Sequence, residues 1–433
     1  MTTARVGLYT LGCKVSQYET EAIAESFEQR GFTVVDFSGE AEVFVINTCT
    51  VTAEADRKSR QIIRRAKKRN PDAVVIVCGC YSQRSPDEVA KIPDVDAVIG
   101  SSGKMRIVDI AERLLKKRER TIEVTDVDCE PFERMRITRG PRTRVYVKIE
   151  DGCECRCSYC AIPSARGRVR SKLPSEVIDE VEALSKSGVR EIVLTGIETG
   201  SYGRDLDEEY TLADLLVELD SRHSCEQIRL GSLAPELVGD KFLDRVRGVG
   251  ILAPHFHLSM QSGSSSVLRG MKRRYTRETA LANIKKIKEV FPRATFTTDI
   301  MVGFPGETEE DFLQSVSLVR EVGFLDVHVF AYSRRKDTPA ADYPDQIPES
   351  IKRERSESLI AVAREVRERT LERIVLEEEY LPVIFEERDG EYMRGHSDTF
   401  VPIAVRCDTD LRGERRKVRP VSRNSDFIVG ELI

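Results

Sequence analysis

Short apolar runs alternate with amphipathic stretches along the first third of the chain. Residues 6–9, 43–47 and 74–78, with a weaker run near Val34, are rich in β-branched side chains and predict buried strands. Between them, 19–30 and Ala53–Arg69 carry apolar residues at helical spacing. Gly31 ends the first and Asn70-Pro71 the second. This alternation predicts an open parallel α/β sheet over residues 1–118, whose last helix ends in Lys116-Lys117-Arg118. The mixed-charge stretch 119–138, with Gly140-Pro141 just beyond it, reads as a linker. A second β/α alternation fills 139–370, with strand-like runs at 146–149, 192–194, 228–230, 255–258, 295–300 and 326–330. Six such units predict an incomplete parallel barrel, with its chemistry at the C-terminal strand ends. Residues 350–380 are dense in Arg and Glu, with Leu359, Ile360, Val362, Val366 and Leu371 at helical spacing, and predict an amphipathic helix. Over 371–433 the pattern changes again. Short runs at 383–385, 399–406, 416–421 and 427–429, separated by Gly and Asp turns, predict a small all-β barrel.

Composition fits three domains: 433 residues, 40% hydrophobic and 33% charged. No apolar run approaches the roughly 20 residues of a membrane span. Met1-Thr-Thr-Ala-Arg-Val lacks an apolar signal core, so the expectation is a cytoplasmic protein. Eleven cysteines in such a chain point to metal or redox chemistry rather than disulfides. A net charge of −5 gives no global nucleic-acid signature. RNA contact would need local basic patches, and two stand out: the helix from Arg57 to Arg69, and Arg412, Arg415, Arg416, Lys417, Arg419 and Arg423. The helix reads equally as a solvated charged surface, while the second run lies in a segment whose acidic residues roughly balance it.

The chemistry concentrates in Cys153-Glu-Cys155-Arg-Cys157-Ser-Tyr-Cys160. Cys153, Cys157 and Cys160 have the spacing C-x3-C-x2-C, which suits three corners of an iron–sulfur cube and leaves one iron open. A structural zinc site is the alternative, but it needs four ligands and no fourth Cys or His follows closely. Cys155 offers other cysteine triples and reads as a bystander. Cys13, Cys49 and Cys80 fall just beyond predicted strand ends, where open α/β sheets bind ligands. They either converge on one object or are unrelated loop cysteines. Cys78 lies within a strand and packs inward, while Cys129, Cys225 and Cys407 read as spectators.

An aromatic residue, Tyr159, precedes the last cysteine of the loop, and the whole motif resembles the radical S-adenosylmethionine (SAM) superfamily. Thr10-Leu-Gly-Cys-Lys-Val, Tyr18-Glu-Thr-Glu, Ile46-Asn-Thr-Cys-Thr-Val-Thr and Gly79-Cys-Tyr resemble the methylthiotransferases within it. The resemblance implies that Cys13, Cys49 and Cys80 hold a second [4Fe–4S] cluster. It implies a radical SAM core in the central barrel and a TRAM (OB-like) RNA-binding barrel at the C-terminus. For SAM it implies contacts at Gly196 and Glu198 after the second strand, Ser259 and Gln261 after the fourth, Gly303 and Gly306 after the fifth, and Tyr332 on the sixth. Gly-Phe-Pro-Gly-Glu also suits an ordinary turn before a helix. Arg166 and Arg170 are expected to clamp the SAM carboxylate or an RNA phosphate. Two departures from the family pattern are Ser16 for Asn and Glu198 for His.

The wording around Cys13, Cys49 and Asp56-Arg-Lys-Ser-Arg-Gln resembles most the branch that methylthiolates carbon 2 of N6-threonylcarbamoyladenosine beside the anticodon of tRNA. Other branches act on N6-isopentenyladenosine or on a ribosomal-protein aspartate. The implied mechanism cleaves SAM at the first cluster, removes hydrogen from carbon 2, and delivers methylthio from the second. Implied partners are the tRNA anticodon stem–loop, an electron donor such as flavodoxin or ferredoxin, and a sulfur donor. A non-catalytic iron–sulfur RNA-binding protein is the reading from a different class, and Glu198 is the residue that leaves it room.

Overall fold

The computed structural model describes residues 4–140, 143–206 and 209–433. Pro141 and the first three residues of the N-terminal stretch Met1-Thr-Thr-Ala-Arg-Val lie outside them. Among the described residues no helix is long and apolar enough to cross a membrane. The chain forms two compact units, the first made of residues up to Ile137 with Lys148–Lys172 and Ser333–Ala341, the second of the remainder.

In the first unit, β1 (Arg5–Thr10), β2 (Thr33–Val35), β3 (Val43–Thr48), β4 (Val74–Gly79), β5 (Ala97–Ile99) and β6 (Thr121–Glu123) form one parallel sheet in the order β2-β1-β3-β4-β5-β6. β3 and β4 are buried along their whole length, which is why they read as unbroken apolar runs. Alternate residues build two core layers. Val43, Val45, Val74 and Ile76 pack with Ile23 and Phe27, while Phe44, Ile46, Val75 and Val77 pack with Ile62, Ile63 and Ala66 of the helix Ala53–Arg69.

Two boundaries differ from expectation. The first helix is Lys14–Gln29, starting immediately after Cys13, because Val15, Tyr18, Ala22 and Ile23 already share its buried side. The stretch 119–138 is not a linker. It contributes edge strand β6, buries Val127, Met135 and Ile137, and its Met135 carbonyl accepts a hydrogen bond from the Tyr18 hydroxyl at 2.8 Å. Its charges masked a few well-spaced apolar anchors. After β7 (Arg144–Lys148), β8 (Glu150–Asp151) and β9 (Arg170–Ser171) pair antiparallel and close the base of loop 152–169.

In the second unit, β7 and β10 (Glu191–Thr195) align with β11 (Gln227–Leu230). Gly231 breaks that third strand, whose continuation β12 (Ser232–Leu233) starts the row β12, β13 (His255–Gln261), β14 (Thr295–Val302) and β15 (Asp326–Ala331). Read through the break, six strands follow one another in chain order as a partial barrel, and the pairs β10–β11, β12–β13, β13–β14 and β14–β15 are parallel. β16 (Leu381–Asp389), β17 (Tyr392–Ser397), β18 (Pro402–Arg406), β19 (Arg415–Arg423) and β20 (Ile428–Leu432) close into a small barrel in the order β16-β17-β18-β20-β19. β17 gave no sequence signal because Arg394, Gly395 and His396 interrupt its apolar pattern. A Cβ at Gly395 would collide with the Ile384 carbonyl.

The helix Glu349–Glu377 runs straight through the boundary expected at 370, and its Leu371 and Ile374 join the core of the small barrel. At the foot of the partial barrel, Phe400 (φ +66°) stacks between His255 at 4.7 Å and His396 at 4.9 Å. Arg229 and Arg144 lie over its ring at 4.9 and 5.1 Å, and both pair with buried Glu191. Burial alone would raise the Glu191 pKa, but Arg229 and Arg144 hold it near about 2.

Candidate active site

The first unit carries both expected cysteine sets. Cys13 caps the N-terminal end of its helix, Cys49 follows β3, and Cys80 opens the short helix Cys80–Arg84 directly after β4. The parallel sheet delivers all three at the same edge, which brings together thiols up to 67 positions apart in the sequence. Burial pushes the Cys49 thiol up to about 12, with Cys80 and Cys13 adding to the rise. Cys80 is raised by burial, opposed by Arg166, and raised again by Cys13. The Val51 N–H points at Cys49 Sγ (3.5 Å). Three mutually interacting thiols with such a donor suit a [4Fe–4S] cluster: binding iron displaces the thiol protons, and one corner is left for a non-protein ligand.

The loop holding Cys153, Cys157 and Cys160 is fastened at several points within the same unit. Gly152 has φ +88°, and a Cβ there would collide with the Arg168 carbonyl, so only glycine fits this turn. The Cys153 N–H donates to the Gly167 carbonyl at 3.0 Å, Cys160 N–H to the Cys157 carbonyl at 3.1 Å, and Ile162 N–H points at Cys160 Sγ at 3.4 Å. Cys157 is buried and its two partners are half-buried, as is Cys155. All described cysteines are free of disulfides. The donor set again fits three corners of a cluster.

Ser333–Ala341, to which the sequence gave no role, straps the two sets together. Arg335 donates to Thr50 Oγ1 at 2.7 Å and Asp56 Oδ2 at 2.6 Å beside the Cys49 loop, while Ala340 N–H reaches the Ser158 carbonyl at 2.8 Å in the other loop. Arg84 adds a second tie, to Ser164 Oγ at 3.0 Å and the Lys336 carbonyl at 2.8 Å.

Arg166 corrects an expectation. It is fully buried and turned inward, with Nε 3.1 Å from Cys80 Sγ, Nη1 2.5 Å from Glu19 Oε1 and 3.3 Å from Asp151 Oδ2, and Nη2 3.2 Å from Glu19 Oε2. Lys148 joins Glu19 at 3.0 Å and Asp151 at 2.6 Å, and Lys104 reaches Glu19 at 3.2 Å. Arg170 donates to the Arg166 carbonyl at 2.6 Å. The Arg166 guanidinium is therefore committed to internal acceptors. Burial opposes ionisation of Glu19, but Arg166, Lys104 and Lys148 hold its pKa well below the usual range. Asp151 is held at about 2 by Lys148, Arg166 and Arg170 against burial. The buried cations outnumber these two carboxylates, an environment suited to the negative charge of thiolate-ligated iron. The sequence offered a partial signal: Glu19 lies in Tyr18-Glu-Thr-Glu and Asp151 two residues before Cys153.

The other residues expected to contact SAM lie in the second unit. Gly196 and Glu198 follow β10, and Glu198 Oε1 accepts the Ala234 N–H at 3.1 Å. Ser259 and Gln261 end β13; Tyr275 holds the Ser259 carbonyl at 2.9 Å, and Gln261 has φ +59°. Gly303 and Gly306 follow β14 with φ +72° and +80°. Glu307 accepts the Gly303 N–H at 2.8 Å and pairs with Arg355 at 2.7 Å. The Tyr332 ring packs edge-on to Phe304 at 5.8 Å. All stand at C-terminal strand ends. Lower on the same strands, His257, Asp299 and His328 bring three polar groups within 4.8 Å of one another, a cluster the sequence did not single out.

The two basic patches differ in their surroundings. Helix Ala53–Arg69 leaves Lys58, Arg64, Arg65 and Lys68 exposed opposite its buried Ser59, Ile62, Ile63 and Ala66. In the small barrel, Arg412, Arg415, Arg416, Arg419 and Arg423 each pair with a carboxylate, and Lys417 lies 4.4 Å over the Tyr380 ring.

Comparison with known proteins agrees with this layout. Residues 5–100 match the Uncharacterized protein family UPF0004 and residues 147–319 the Radical SAM superfamily. The threonylcarbamoyladenosine tRNA methylthiotransferase MtaB of Bacillus subtilis is 38% identical over 99% of this chain and 96% of its own length. A tRNA-2-methylthio-N(6)-dimethylallyladenosine synthase of Carboxydothermus hydrogenoformans is 34% identical over 98% of both. The radical SAM methyltransferase TsrM from Kitasatospora setae shares the fold, with a TM-score of 0.57 at 18% identity over 78% of this chain and 77% of TsrM. Two three-cysteine sites on one unit, a partial barrel and a closed five-stranded barrel, together with full-length identity to MtaB, place this chain in the methylthiotransferase family of radical SAM enzymes, in its MtaB branch.

Proposed function

We propose that this enzyme adds a methylthio group to carbon 2 of N6-threonylcarbamoyladenosine at position 37 of tRNA, in the cytoplasm. The observation that carries the reading is the pairing of two three-cysteine sites on a single unit. One such site is assigned to radical generation, and the second offers a carrier for the sulfur to be delivered. When bound, the two clusters and SAM supply reductive cleavage and a carrier for sulfur. The chain's own residues do the rest. Cys153, Cys157 and Cys160 hold one cluster, and Cys13, Cys49 and Cys80 the other. Arg166, locked by Glu19 and Asp151, donates an N–H to Cys80 and offsets thiolate charge. The strand ends at Gly196, Glu198, Ser259, Gln261, Gly303, Gly306 and Tyr332 are assigned to SAM. The exposed cations of helix Ala53–Arg69 are assigned to tRNA phosphates. A low-potential electron donor such as flavodoxin or ferredoxin and an inorganic or protein-borne sulfur donor complete the cycle.

Anaerobic reconstitution followed by SAM, reductant, sulfide and tRNA bearing threonylcarbamoyladenosine tests the reading. The expected products are the 2-methylthio nucleoside and 5′-deoxyadenosine. Cys157→Ala should abolish both, whereas Cys49→Ala should abolish only the modified nucleoside. Methylthiolation of isopentenyladenosine instead would move the chain to the other tRNA branch. Neither product, from protein shown to hold two clusters, would favour a binding protein.

A further inference from the structure

The triad His257, Asp299 and His328 lies on three adjacent strands. Parallel register sets His257 beside Thr297 and Asp299 beside His328, so all three point to one face. The opposite face carries Phe256, Leu258, Phe296 and Ile300, packed under the helices, with Phe256 against Phe291 at 5.5 Å. The triad therefore belongs to the face turned away from the helix layer. Burial falls along it, from His257 through half-buried Asp299 to exposed His328.

Hydrogen bonding fixes what this face offers. The Thr297 hydroxyl stands 3.0 Å from His255 Nε2 and 2.9 Å from His257 Nδ1. His257 Nε2 stands 3.2 Å from Asp299 Oδ2. Nδ1 of His257 is thus engaged by the Thr297 hydroxyl, which also meets His255, while Nε2 stands within ion-pair distance of Asp299. The chain is anchored at its far end by the stack of His255 on Phe400. It holds Asp299 in place and leaves carboxylate lone pairs beside an exposed imidazole. Two histidines and one carboxylate are also a transition-metal donor set. His257 Nε2 and Asp299 Oδ2 stand 3.2 Å apart, and the ligand atoms of all three residues lie within 4.8 Å of one another.

We infer that Asp299 and His328, backed by His257, form the seat of a polar, carboxylate-bearing N6 substituent on the substrate base. This rests on the function proposed above and deepens it. Asp299 accepts from the urea N–H or hydroxyl of the threonylcarbamoyl group, and a His328 ring N–H donates to its carboxylate. An isopentenyl group would offer Asp299 nothing, and a site built to hydrogen-bond rejects ligands that cannot do so.

The test uses the full chain with both clusters and anticodon stem–loops bearing threonylcarbamoyladenosine, isopentenyladenosine or unmodified adenosine. His328→Phe should weaken binding of the threonylcarbamoyl stem–loop by about tenfold to a hundredfold. Binding of the unmodified stem–loop and of SAM should stay constant, and His328→Gln should recover part of the loss. Unchanged affinity, or an equal loss with unmodified RNA, overturns the inference. A fall in SAM affinity assigns the triad to SAM instead. One equivalent of a non-iron metal in the wild type that is missing from His328→Phe makes it a metal site. If the wild type methylthiolates only the isopentenyl stem–loop, the functional reading itself has failed.

Discussion

At the scale of single residues, Arg166 is the clearest case of a charge whose role follows from burial. An arginine after a cysteine loop looks like an outward clamp, yet its N–H groups reach Cys80, Glu19 and Asp151. Removing one partner of such a buried group leaves uncompensated charge. Arg166→Gln is expected to destabilise cluster-free, reduced protein by about 3–5 kcal/mol, read from urea unfolding. Arg166→Lys should lose less, since it keeps the charge but not the planar fork. The carboxylates carry a pH signature. Asp151 and Glu191 are each depressed to about 2, from ordinary values of 3.8 and 4.5. Their contribution to stability is complete above the unfolded values and is lost as pH falls. The urea midpoint should hold down to about pH 5 and drop as pH falls towards about 2. Asp151→Asn and Glu191→Gln should be less stable at neutral pH and show a shallower acid decline.

At the scale of elements, the cluster loop depends on its frame. β8 and β9 close its base, Gly152 makes the turn, and Ser333–Ala341 ties it to the Cys49 loop. Gly152→Ala has to displace the Arg168 carbonyl. It is expected to lower iron content by about half, one cluster of two, with the other absorbing normally. Arg335→Ala leaves Asp56 without its guanidinium and should speed iron loss to a chelator while leaving the initial iron content near normal. Elements with strong periodicity were legible in the sequence: helix Ala53–Arg69 and strands β3 and β4 match the expectation within a residue or so. β6 and β17 were not, because their pairing partners rather than their own composition hold them in a sheet.

At the scale of the molecule, compact units ignore the linear domain plan. The cysteine loop and the strap at Ser333–Ala341 fold with the N-terminal sheet, and the small barrel shares the helix Glu349–Glu377 and the Phe400 foot with the partial barrel. The two barrels should therefore unfold together. Phe400→Ala removes the ring between His255, His396, Arg144 and Arg229, at an expected cost of about 3–5 kcal/mol. A calorimetric trace should then split a single transition of the second unit into two.

The sequence by itself determined the order of the strongly periodic strands and helices, the C-x3-C-x2-C loop and the three cysteines at strand ends. These are local patterns, set by residue period and spacing within a few turns of chain. It also carried enough motif wording to name the family. Only the tertiary structure decided that Arg166 faces inward and that His257, Asp299 and His328 meet on one face. It also decided that residues 119–138 belong to the first unit. Each of these depends on which distant segment lies across a sheet or beneath a helix. A side chain's charge state and direction are set by such neighbours, and no period along the chain encodes them.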